Sequence, residues 1–230
     1  MTDDAPFTSW QAPAVPPRVP LVGRLCRLEP LTTAHAAALH EANSLDAAGR
    51  MWDYLAYGPF DDLATYRQWI EQKSRSTDPL FFAVVDGDRG SAIGVASYLR
   101  IDPANGVIEV GHLAYSPRLQ RTPAATEAMY LMMRQAFALG YRRYEGKCNA
   151  HNAASRRAAE RLGFTFEGVF RQHMIVKGRN RDTAWYSVID GEWPRLRQGF
   201  ECWLEPGNFE PDGRQRRPLA DCRADPGGVS

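Results

Sequence analysis

The stretch Asn105–Phe166 reads NGVIEVGHLAYSPRLQRTPAATEAMYLMMRQAFALGYRRYEGKCNAHNAASRRAAERLGFTF. Apolar side chains occupy both alternating sets of Val107–Tyr115, the pattern of a strand covered on two faces. Pro117 ends it. After the polar turn Arg118–Gln120, Pro123 stands where a first helical residue belongs, since its missing N–H is one that a first turn leaves unpaired in any case. Ala125, Met129, Met132, Met133, Ala136 and Phe137 then recur at helical spacing, with Glu127, Arg134 and Gln135 assigned to the other side and Gly140 as the stop. A buried strand that feeds a helix N-terminus presents unpaired N–H groups and the positive end of the helix dipole, which together suit an anion. The small residues Thr122, Ala124, Ala125 and Thr126 let a ligand approach that backbone. A strand at Arg142–Cys148 and a helix at Ala153–Leu162 follow, and strand, crossover helix, strand implies a parallel pair.

Upstream, Leu80–Val85 and Ser91–Ile101 are β-rich and separated by the hairpin turn Asp86–Gly90, with a second turn at Asp102–Gly106. Arg24–Leu31, bounded by Gly23 and Pro30, reads as a first strand, and Thr33–Ser44 as a short amphipathic helix opened by a threonine cap. Leu45–Phe60 is rich in aromatics and broken by glycine and proline; Trp52, Tyr54, Leu55 and Tyr57 are either a substrate wall or a flap over the core. Asp61 or Asp62 caps a helix running to about Ser76. Downstream, a hairpin spans about Thr165–Lys177 and Asp182–Val188, turning at Gly178–Asn180, and a terminal helix covers Asp190–Leu204 despite Pro194 and Gly199. Prolines at 6, 13, 16, 17 and 20 make residues 1–22 an extended arm that Phe7 and Trp10 can pin. The reading is therefore an α+β domain over 23–193, preceded by that arm and followed by an extension, 194–230, whose tail, Glu205–Ser230, is rich in Pro, Gly, Asp and Arg and is expected to be loosely attached.

The chain's 28 Lys and Arg against 27 Asp and Glu, a net charge of +1, give no general pull toward nucleic acid or membranes. Its four cysteines, Cys26, Cys148, Cys202 and Cys222, are far apart and form no C-x-x-C pair, so neither a metal site nor a disulfide framework is signalled. No apolar run is long enough to span a bilayer, and a cytoplasmic protein, monomer or homodimer, is expected.

Two motifs resemble the GNAT superfamily of N-acetyltransferases. The family's pyrophosphate loop runs Q/R-x-x-G-x-G/A, and Gln120-Arg121-Thr122-Pro123-Ala124-Ala125 keeps its first and last positions, with Pro123 replacing the central glycine. The second motif is N-x-x-S…L-G-F, carried by Asn152, Ser155 and Leu162-Gly163-Phe164. Across Arg24–Trp193 the chain looks most like the branch that acetylates ribosomal-protein N-termini (Rim type), a group that also includes acetylases of small amines. The resemblance implies a mixed, mostly antiparallel sheet of about seven strands, splayed between the fourth and fifth and flanked by about four to five helices. It implies acetyl-CoA as acetyl donor, no metal, and an acceptor that is a small amine or a protein N-terminus. Gly111 is the candidate bulge, and the backbone of Leu113, Ala114 and Tyr115 then faces the pantetheine arm and the acetyl carbonyl, where a fixed N–H stabilises an oxyanion. Glu109 matches the family's strand carboxylate and is the candidate base. His112 is the alternative, on the opposite face unless a bulge reverses the parity. Many relatives carry a tyrosine seven residues after the asparagine to serve the leaving thiolate; Ala159 stands there, which passes that role to Ser155. Asn152 either binds pantetheine or caps its helix. Trp52, Tyr54 and Tyr57 are the candidate acceptor wall. A domain that binds acyl-CoA without turnover is the alternative reading.

Overall fold

The computed structural model describes residues 10–225. Its centre is the strand β5 (Val107–Tyr115), which runs antiparallel to β4 (Ala92–Asp102) on one side and parallel to β6 (Arg143–Asn149) on the other. Outward from β4 come β3 (Leu80–Asp86), β2 (Cys26–Pro30) and the two-residue edge strand β1 (Leu21–Val22), each antiparallel to its neighbour. On the far side β6 pairs with β8 (Arg179–Ile189), and β7 (Thr165–Val176) forms the other edge. The order is thus β1-β2-β3-β4-β5-β6-β8-β7, eight strands among the described residues with a single parallel pair, β5 with β6. The strand beyond the expected seven is β1, carved from the end of the proline-rich arm. The β7–β8 turn is Lys177-Gly178, both with positive φ, one step earlier than the sequence suggests.

Helices α1 (Ala36–Ser44) and α2 (Leu63–Ser74) cover one face of the β2–β5 half. Their core is aromatic: Trp52, Tyr66, Trp69 and Phe81 pack with Ile70 and Leu39. The cap of α2 is Asp62, whose carboxylate accepts from Thr65 N–H, and that bond is worth about 1 kcal/mol. The other face carries α3 (Pro123–Ala138), α4 (Ala153–Leu162), α5 (Trp193–Leu204) and α6 (Leu219–Ala224) over a core of Tyr98, Ile108, Met132, Tyr144 and Phe200.

Two expectations fail here for physical reasons. Glu127 does not lie on a solvent face: its buried carboxylate accepts the backbone N–H groups of Arg24, Leu25 and Cys26, which ties the entry of β2 to α3. Gly23 makes room for it, since a Cβ there would lie 2.4 Å from Glu127 Oε2. Nor is 205–225 loosely attached. Phe200, Trp203, Leu219 and Cys222 are buried in the main core, and Gly199 is the point where α5 and α6 meet. No helix among the described residues is long and apolar enough to cross a membrane.

Candidate active site

Pairing of β5 with β6 runs from Val107 and Arg143 to Val110 and Gly146 and goes no further. Beyond that point β5 stays on β4 as far as Tyr115, while β6 stays on β8 as far as Asn149. The sheet therefore opens, with Gly111–Tyr115 along one wall and Lys147–Asn149 along the other. Backbone groups on these inner edges have no strand opposite them, so they are free to meet a ligand.

A bulge sits at the head of the opening. Gly111 pairs with Ser97 and Ala114 with Val95, so Ala96 alone opposes both His112 and Leu113. The extra residue is His112, which adopts φ 51°, a left-handed conformation uncommon for a non-glycine residue. Gly111 itself remains in register, and its missing side chain permits close packing: a Cβ would lie 2.9 Å from Leu99 Cδ2. The bulge reverses the parity of the strand. His112 is thereby turned onto the Glu109 face, its ring 5.0 Å from that of Phe81 and stacked at 5.7 Å on Tyr57. Burial, helped by Lys73, Arg100 and Lys147, pushes its pKa down to about 4, so the imidazole is neutral at pH 7.

Glu109 is buried, 2% exposed, beside the last parallel pairs. Arg100 Nε donates to its Oε2 at 2.7 Å and Arg100 Nη2 donates to the same oxygen. Oε1 takes no hydrogen bond among the described residues and lies toward Gly111, 3.6 Å from where a Cβ would be. Desolvation raises the carboxyl's pKa, against the pull of Lys147 and Arg100.

At the far end of β5 the chain turns through Ser116, whose hydroxyl donates to Ile93 O, and enters α3. Arg121 has φ 61°, Thr122 is the N-cap, and Pro123 takes the first helical position as its chemistry predicts. The Ala125 N–H is occupied by Thr122 Oγ1 at 3.2 Å, and Gln120 Nε2 donates to Tyr115 O at 2.7 Å, closing the loop onto the strand. This leaves the N–H groups of Arg121 and Ala124 without a hydrogen bond among the described residues, at the positive end of a 16-residue helix. Such a terminus fits a phosphate.

Across the opening, Asn152 caps α4 by accepting from Ser155 N–H at 3.0 Å. Ser155 shares the inward stripe of α4 with Ala159 and Leu162, both packed against the main core, and its hydroxyl makes no bond among the described residues. Of the three aromatics expected on the acceptor side, Trp52 is spent on packing, 5% exposed among Tyr57, Phe60 and Tyr66, with its carbonyl accepting from Lys177 Nζ. Tyr57 Oη is buried without a partner beside His112, and Tyr54 is exposed, its hydroxyl donating to His151 O at the start of α4. The reading of the sequence passed over Arg100, Lys147 and Trp185. The charge alternation Arg143, Glu145, Lys147 against Tyr144 and Cys148 was the available signal for the second of these.

The sheet opens beside its parallel pair, with a helix N-terminus at the end of the bulged strand, a geometry that suits an elongated ligand ending in phosphate. Residues 25–165 match the Acetyltransferase (GNAT) domain family, and the chain belongs to that family of acetyltransferases. It is 48% identical to a GCN5-related N-acetyltransferase from Brucella melitensis, with a TM-score of 0.93, over 95% of this chain and 100% of that one. An uncharacterized N-acetyltransferase p20 from Bacillus licheniformis is 26% identical over 144 residues, 61% of this chain and 80% of that protein. The ribosomal L7/L12 α-N-protein acetyltransferase RimL, at 21% identity, shares the fold with a TM-score of 0.64 over 74% of this chain and 93% of its own.

Proposed function

We propose that this acetyltransferase moves the acetyl group of acetyl-CoA to a primary amine, on a small molecule or a protein N-terminus, by direct attack. When bound, the coenzyme supplies a thioester carbonyl whose carbon takes the amine nitrogen as the carbon–sulfur bond breaks. The cradle at Arg121–Ala125 holds its phosphates through backbone N–H groups, with Gln120 bracing the loop. The inner edge of Leu113–Tyr115 aligns the pantetheine arm and offers an N–H to the carbonyl oxygen. Oε1 of Glu109 takes the amine's proton, directly or through a water, while Arg100 holds Oε2. Ser155 donates toward the departing sulfur. Cys148, whose thiol burial keeps protonated by raising its pKa, is a poor nucleophile, which favours direct attack over a covalent relay.

One observation carries this reading: a buried carboxylate with a single free oxygen stands at the head of the opened β5–β6 pair, in line with the helix that suits phosphate. Release of free coenzyme thiol, followed with a mixed panel of amines and peptides and mass spectrometry of the products, tests it. Acetylated amine is the expected product. Coenzyme binding without any acetyl transfer across the panel would leave a coenzyme-binding domain and overturn the proposal.

A further inference from the structure

Deepening that reading, we infer that the acceptor is a small primary amine carrying an anionic group, a carboxylate or phosphate, a few atoms from its nitrogen, and that Lys147, Arg181 and Arg100 receive that anion. The register places Lys147 and Arg181 on the Glu109 face of the sheet. Glu109 lies opposite Glu145 in the parallel pair, and Lys147 is two residues further along the same face of β6, the first position past the split. Lys147 pairs with Trp185 on β8, and Arg181 follows on the same face two steps from Thr183. Lys147 Nζ lies 5.0 Å and Arg100 Cζ 5.6 Å from the Trp185 ring, so two cations stand on one indole.

The charges on this face do not cancel. Lys147 makes no ion pair among the described residues, and neither does Arg181; the close ion pair of Glu109 is with Arg100, and its field also reaches Lys147 and Arg181. Glu145 is engaged by Arg143, which Glu167 holds from its other side. Three cations thus share one carboxylate. Two buried donors here also lack any acceptor, Arg181 Nε–H and Trp185 Nε1–H. Buried donors in a folded protein are nearly always satisfied, and orphan donors beside unpaired cations call for an oxyanion. The field reaches the neighbouring rings: His173, beside Trp185, has its pKa lowered by desolvation and then by Lys147, Arg181 and Arg100, and no carboxylate offsets them. A hollow of about 230 Å³ lies beside the cluster at Trp185, but its polar lining is the Arg143, Glu145 and Glu167 ion-paired group, so the anion is assigned to the three cations and not to that hollow.

The test compares matched amines with acetyl-CoA as donor: leucine, leucinamide and isoamylamine for a carboxylate, phosphoethanolamine and ethanolamine for a phosphate. The anionic member of at least one series is expected to exceed its neutral counterpart by about tenfold or more in kcat/KM, and the series that does so names the anion. In Lys147→Met and Arg181→Met, which keep apolar bulk, that ratio should fall toward one; being internal to each variant, it is immune to partial loss of folded protein. A second arm needs no turnover. Titration of N-acetyl-leucine against N-acetyl-leucinamide, and of N-acetyl-phosphoethanolamine against N-acetylethanolamine, in the presence of coenzyme A should show the same preference. Preference in binding without turnover would sink the acetyl-transfer reading and leave the anion site at Lys147, Arg181 and Arg100 standing. Equal treatment of anionic and neutral members in both arms, or preference for the neutral ones, would overturn the inference while leaving acetyl transfer intact.

Discussion

Arg100 grips Glu109 by one carboxylate oxygen and leaves the other facing the split between β5 and β6. The geometry solves a problem that burial creates. A lone buried carboxylate would stay protonated and useless as a base, whereas one answered fully on both oxygens would have no lone pair to offer. Arg100, its side chain 47% exposed and its own φ 46°, reaches inward from the register shift between Leu99 and Asp102, where β4 carries one residue more than β5.

The first prediction follows from that pair. Glu109→Gln keeps the shape and removes the proposed base, so kcat should fall roughly 10²-fold or more while coenzyme binding is retained. Only the carboxylate works as a base, so the wild-type rate should climb with pH through a pKa above the ordinary 4.5, and Gln should erase that limb. Stability runs the other way. A carboxyl whose folded pKa is raised contributes stability fully below pH 4.5 and loses it as pH rises through the folded value, so wild type should lose ground to Glu109→Gln over that window. A pH–rate profile and parallel denaturant titrations check both signs.

At the proposed phosphate cradle the backbone is expected to matter more than the side chains. Ala125→Asp places a repelling charge, and bulk, at a residue half-buried against the core, next to the free N–H of Ala124. It should weaken coenzyme A binding by more than Arg121→Ala, whose exposed side chain is not needed for an N–H to point inward. Calorimetry that ranks the two variants in the opposite order would replace the backbone cradle with a side-chain clamp.

Local chemistry made much of this site legible before folding. Pro123 at the helix start and Asn152 as a cap are decided within a few residues of themselves. The bulge is different. Nothing in Gly-His-Leu says that His112 takes the left-handed conformation; that depends on Ala96 of β4 opposing two residues at once, a fact about the partner strand. The same holds for Glu127, polar by type but buried because three N–H groups of a segment about 100 residues away converge on it. The tail misled because its composition is that of a solvated segment, while its few apolar residues, Leu219 and Cys222, are placed to meet α5.

Gly199 turns that last point into a measurement. In an exposed helix, Gly→Ala gains about 1 kcal/mol. Here a Cβ would sit 2.3 Å from Arg223 Cγ and 3.0 Å from Arg223 Cα, atoms close to the backbone that cannot swing aside. Gly199→Ala should therefore destabilise the protein, by about 1–3 kcal/mol, as α6 is pushed from α5. A stabilised variant in thermal unfolding would mean that the extension does not dock as described.

The last prediction concerns the departing thiolate. Ala159, at the position where many relatives carry tyrosine, is packed against the main core, and its carbonyl accepts from Gly163 and Phe164 N–H at the end of α4. A phenol ring at that position would have to displace core side chains, so Ala159→Tyr should cost stability and is a poor way to restore the missing donor. Ser155 lies one turn earlier on the same stripe, at the positive end of α4, with a hydroxyl that no described group uses. If it stabilises the charge that grows on sulfur, Ser155→Ala should slow the single-turnover step by roughly 10- to 150-fold, the worth of one hydrogen bond to a charged group, with little change in acetyl-CoA affinity. Asn152→Ala provides the contrast, because loss of the cap should cost about 1 kcal/mol of stability before it touches the rate. Single-turnover rates that are equal in wild type and Ser155→Ala would assign the proton to water and reduce Ser155 to a residue of the helix turn.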